Sequence, residues 1–278
     1  MNDENTGSEA AVPAEPARKG SPKARAMNRA AARHAVPFLL WIGAMLVGRA
    51  MHLSPSSATP ETPSLDVVSD AGLYAIRTAL CFAALCALRP WAYCRGSFRA
   101  SHLLPAVAVG LGVFAIWALP LSDWFASVCP RGAELYSTWL LGSPGKAADF
   151  ASGAEKAAQW YSPAATGWPM FAVHLFGSAV AIAAAEEFFW RAYLLRAART
   201  PDFLDLPVGQ FHAVSFLAVT AAFAAEHGEM WAAGFVAGAA YGALYLKTRD
   251  VWAAIAAHVT TNLALGLYVV ATGHWEFW

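Results

Sequence analysis

Long apolar runs recur along this chain at intervals that fit a bilayer. A hydrocarbon core of about 30 Å needs roughly 20 helical residues. Seven stretches answer to that ruler: 36–53, 71–88, 102–121, 169–195, 212–227, 231–247 and 251–271. The fifth and sixth are short, and only Gly228, Glu229 and Met230 separate them. The mixed stretch 124–160 holds Trp139, Leu140 and Leu141 and reads as a loop with an interfacial helix, an eighth span being the alternative. The pattern therefore predicts an all-α, multi-pass transmembrane helix bundle over 35–278. Ahead of it, residues 1–34 are polar, with no apolar core near Met1, and predict a disordered tail rather than a signal peptide.

Composition agrees with a membrane bundle. The chain of 278 residues is 58% hydrophobic and 14% charged, against about 25% charged in soluble domains, and its mean hydropathy is +0.41. Formal net charge is zero, so nothing electrostatic favours nucleic acid as a partner. The four cysteines (Cys81, Cys86, Cys94, Cys129) lack CxxC pairing and zinc-site spacing. Basic residues fall on alternate sides of the predicted spans. Arg18, Lys19, Lys23, Arg25, Arg29 and Arg33 precede the first; Arg89, Arg95 and Arg99 follow the second. Arg196 and Arg199 follow the fourth, and Lys247 and Arg249 the sixth. Glu61, Asp66 and Asp70 sit on the other side, after the first span. By the positive-inside rule the tail is cytosolic.

Polar residues inside such spans are rare and usually functional. In the fourth, Glu186 and Glu187 adjoin and Arg191 follows. Glu187 and Arg191, at i and i+4, share a face and can pair. Glu186 is rotated by about 100° from its neighbour and points away from that partner. A buried carboxylate without a cation suits general acid or base work. Taken alone, the cluster reads equally well as a charged helix end. In the fifth span Phe223 and His227 share a face; a lone histidine there is more often interfacial, and Glu226 and Glu229 read as loop charges. In the seventh, His258 and Asn262 share a face, with interhelical hydrogen bonding as the plain explanation. Gly234, Gly238 and Gly242 form a small-residue stripe on the sixth span, which favours close helix packing over a hinge. Arg49 and Arg77 lie within the early spans and acquire no role.

Together, two acids, two histidines and an asparagine on three spans supply what amide hydrolysis requires: a base for water and donors for the developing oxyanion. The same residues carry a resemblance. EExxxR, FxxxH and HxxxN, in that order, resemble the CPBP intramembrane proteases, which include the CAAX prenyl endopeptidases. The resemblance covers about 170–271, so 169–271 is expected to form the catalytic core. The chain end, Tyr268 to Trp278, is similar to a bacterial subgroup associated with exosortase systems. The family implies an endopeptidase of the bacterial inner membrane acting on a membrane-associated or lipidated protein, in contact with membrane lipid. By motif position, Glu186 and His227 would activate water, His258 and Asn262 would stabilise the oxyanion, and Glu187, Arg191 and Phe223 would support the site. A metal-free mechanism is expected, because HExxH is absent; the alternative is Zn2+ held by Glu186, His227 and His258. A non-catalytic scaffold or maturation factor for protein sorting is the competing function, with a proton-coupled transporter third. The sequence carries no signature of oligomeric state.

One geometric condition follows. If the fourth and fifth spans both cross fully, Glu186 and His227 lie more than about 10 Å apart along the bilayer normal. A shared site requires the 228–230 tip to be sunk beneath the surface, where non-helical backbone is tolerated only beside a cavity or within protein.

Overall fold

The structure, a computed structural model, describes residues 20–52, 70–94, 99–141 and 157–278. Seven main helices carry it: α1 Pro22–His52, α2 Asp70–Leu88, α3 Leu103–Ala118, α4 Pro163–Ala197, α5 Ala213–Glu226, α6 Trp231–Thr248 and α7 Val251–Thr272. No strand occurs among the described residues. Among the described residues, five segments are long and apolar enough to cross a membrane: Pro22–Gly48, Ala71–Tyr93, Ala100–Leu121, Pro163–Ala197 and Val251–Thr272. This is an all-α integral membrane bundle.

α1 differs from expectation at its start. It begins at Pro22, inside the stretch read as tail, and residues 1–19 lie outside the described ones. Two contacts hold this early turn. Lys23 Nζ meets Asp202 at 2.8 Å and Asp205 at 2.7 Å, and Met27 and Ala30 are buried with Phe203. The sequence reading weighed polarity and missed this tertiary support.

α4 is the least regular helix. Gly167 (φ +81°) interrupts its first turns, so the continuous helix starts beside Pro169, close to the expected 169. Two π-helical stretches, Gly177–Ile182 and Phe188–Leu194, then flank Ala183–Glu187. Such i→i+5 turns are rare and re-aim the side chains beyond them. The first lies against α7, where Asn262 Nδ2 donates to Ser178 O at 2.8 Å.

With little hydrophobic drive between helices in lipid, close approach depends on small residues. A side chain at Gly110 of α3 would run into the Ala257 carbonyl and Thr260 of α7. On α6, a Cβ at Gly234 would press on the His227 ring (3.1 Å to Cγ), one at Gly238 on Phe223 (3.1 Å) and one at Gly242 on Phe216 (2.9 Å). The glycine stripe is thus a packing face for α5.

α5 has 14 residues, about 21 Å at helical rise, so it cannot cross a 30 Å core. The α5–α6 tip meets the sunken-hairpin condition in part: Met230 is buried, while Gly228 is exposed. Tyr136 and Leu141 pack on Met230 and Ala233. Those two residues belong to the 124–160 stretch, whose described part forms short helices at Asp123–Val128 and Pro130–Leu135 and a π-helical turn at Tyr136–Leu140. They cover the tip rather than make an eighth span. Residues 142–156 lie outside the described ones.

Candidate active site

A cavity of ≈ 260 Å³ opens among α2, α3, α4, α6 and α7, with the tip of α5. Glu186, His227, His258 and Asn262 all line it, as does Phe223. Four residues nominated from three separate spans therefore meet at one space.

The two adjacent glutamates divide sharply. Glu187 is fully buried. Its Oε1 accepts from Arg191 Nη1 at 2.9 Å and from His258 Nδ1 at 2.9 Å. Arg191, 2% exposed, also donates through Nη2 to Gly238 O at 3.2 Å. Its guanidinium lies over Phe223, 4.4 Å from the ring centre, and 5.5 Å from that of Tyr241. Glu187 thus ties α4 to α7, and Arg191 ties α4 to α6. Glu186 has none of these partners. It lines the cavity, its Oε2 is buried with no hydrogen-bond partner, and that oxygen stands 4.0 Å from His258 Nε2.

The hydrogen bonds also fix the imidazoles. His227 Nδ1 lies 2.7 Å from Phe223 O. A carbonyl only accepts, so Nδ1 carries the hydrogen and Nε2 presents a lone pair. The ring is held between Phe223 (centroids 4.5 Å) and Trp117 (5.3 Å). His258 donates from Nδ1 to Glu187, leaving Nε2 toward Glu186. Its ring stacks on Tyr241 at 4.8 Å and 23°. Tyr241 OH donates to Thr261 Oγ1 at 2.7 Å, and Thr261 Oγ1 to Gly110 O at 2.8 Å. This chain joins α6, α7 and α3 behind the imidazole. Asn262 spends one amide hydrogen on Ser178 O and keeps a second.

Three features escaped the sequence reading. Tyr241 was passed over although it sits beside the glycine stripe. Glu226, read as a loop charge, ends α5 with its Oε2 buried and without a partner. His174, a third intramembrane histidine, lies in the cavity wall; its signal was the same as that of His258, a lone polar group in an apolar run. The zinc alternative places Glu186, His227 and His258 around one ion. Among the described residues, no three His, Cys, Asp or Glu side chains are arranged to hold a metal.

A buried carboxylate facing solvent-sized space, two imidazoles with open nitrogens and a free amide hydrogen are groups that hydrolysis of an amide requires. Residues 168–264, which contain every motif residue, match the family described as type II CAAX prenyl endopeptidase Rce1-like, over about a third of the chain. This segment is similar to that family, in which the CAAX-type endopeptidases fall. The match does not extend to the exosortase-associated subgroup. No curated protein and no solved structure matches the chain.

Proposed function

We propose that this chain is a metal-free glutamate endopeptidase that cuts a membrane-associated or lipidated protein within the bilayer. The observation that carries this reading is the division between Glu186 and Glu187: Glu187 lies outside the cavity lining with its Oε1 bonded to Arg191 and His258, whereas Glu186 lines the cavity with an unbonded Oε2. Glu186 takes a proton from water while His227 Nε2 accepts the water's other hydrogen and orients it. The water oxygen bonds to the scissile carbonyl carbon, and the carbonyl electron pair moves onto its oxygen. The free Asn262 amide hydrogen and, in the imidazolium form, His258 Nε2–H stabilise that oxyanion. Collapse breaks the C–N bond, and the departing amine takes the proton from Glu186. Glu187 and Arg191 hold the His258 ring in place.

The alternation of basic residues supports a cytosolic N-terminus by the positive-inside rule, and the reading takes the membrane to be a bacterial inner membrane. Support for omitting metal is the lack of an HExxH helix motif in the sequence. The test is cleavage of a fluorogenic, acyl-anchored peptide by the purified chain in proteoliposomes. Turnover should persist after exhaustive treatment with a zinc chelator and vanish in His227→Ala. Chelator-sensitive turnover restored by zinc would overturn the metal-free mechanism. If the folded chain never cleaves such peptides while a sorting pathway still depends on it, the scaffold function replaces the enzyme.

A further inference from the structure

The cavity has a second polar pole that hydrolysis does not use. Arg77 of α2 lines it, with its guanidinium 4.2 Å from the Tyr74 ring centre and 4.6 Å from that of Trp41. Its Nε is buried without a hydrogen-bond partner. Among the described residues no carboxylate pairs with it. His174 stands beside it on the same wall. Its ring stacks between Tyr161 (3.9 Å, 25°) and Trp278 (4.6 Å, 26°), with Tyr74 edge-on at 4.0 Å. His174 Nδ1 is buried and unpartnered. A fixed cation at membrane depth is costly without an anion, and this one is held in an aromatic cradle rather than by an acid.

We propose that Arg77 and His174 form a subsite for a carboxylate of the peptide substrate. The inference rests on the peptidase reading of the same cavity. Electrostatics set the direction of binding. Glu186 lies at one pole, while Arg77 lies at the other and attracts an anion. The guanidinium fork matches a carboxylate in two parallel hydrogen bonds. Glu186 follows His174 by twelve positions along α4, at most about 18 Å, since the π-helical Gly177–Ile182 rises less per residue than an α-helix. That span holds only a few residues of extended chain, so the anchored carboxylate sets how far from it the bond is cut. Two sources carry this chemistry: the α-carboxylate of a chain end and an acidic side chain near the cut.

The test uses the full chain in lipid nanodiscs, with Glu186→Gln in place to stop turnover. The probes are one short dansyl-labelled apolar peptide as its free acid, as its C-terminal amide, and as the amide with a terminal aspartate. The acid should bind about tenfold more tightly than the amide. Adding Arg77→Gln should make acid and amide bind alike. Arg77→Lys, which keeps the charge and loses the fork, should shrink the ratio and carries the test if the glutamine variant does not fold. Tight binding by the aspartate amide assigns a side-chain carboxylate; tight binding by the free acid alone assigns a chain end. An acid-to-amide ratio near one in the Arg77 chain, or one unmoved by either substitution, overturns the subsite. Cleavage with Glu186 intact is measured separately, so peptide turnover without carboxylate preference condemns the subsite alone, and preference without turnover condemns the peptidase reading alone.

Discussion

Two sides of the cavity use the same residue types to opposite ends. On the α4–α7 seam, Glu187, Arg191 and the Nδ1 edge of His258 are locked into one another and into Gly238 O, almost without exposure. On the facing side, Glu186 Oε2 has no hydrogen-bond partner, and His227 keeps its Nε2 lone pair toward the shared space. Chemistry needs a group that can change its bonds; architecture needs one that cannot. In the proposed mechanism these two roles fall on neighbouring residues of one helix, and the rigid one aims the labile one.

The comparison can be broken first at the rigid side. Glu187→Gln leaves Arg191 buried with a neutral partner and should lower stability by about 3–5 kcal/mol, read as a fall in thermal midpoint in detergent. An unchanged midpoint would contradict its role as a brace. Asn262→Ala removes the proposed oxyanion donor and an anchor on Ser178. It should cut kcat by about 10²–10³-fold with little change in KM; a loss confined to KM would assign Asn262 to substrate binding instead. Gly234→Ala presses a methyl group on the His227 ring and should cost about 1–3 kcal/mol of packing and reduce turnover. Equal turnover and midpoint would show that α5 and α6 separate freely.

Much of this layout was legible in the sequence. The i, i+4 spacing of Glu187 and Arg191 gave their pairing, and the 100° step between neighbours gave Glu186 its separate direction. The shortness of the 212–227 run foretold a helix too short to cross a core of about 30 Å, and α5 has 14 residues. Three things were hidden, each for a physical reason. The bond from His258 to Glu187 depends on how α4 approaches α7, and the π-helical stretches that set this leave no short motif. The early start of α1 depends on Asp202 and Asp205, distant in sequence. Arg77 and His174 look like isolated polar residues until the fold brings α2 and α4 to one wall.

The central claim is that the cavity-facing carboxylate of Glu186 does the chemistry. Glu186→Gln changes a proton-accepting oxygen into an amide at nearly constant volume. With the acyl-anchored peptide in proteoliposomes, turnover should fall by at least about 10²–10⁴-fold, while the thermal midpoint stays with that of the unaltered chain. Cleavage at an undiminished rate in a folded Glu186→Gln protein would contradict the account.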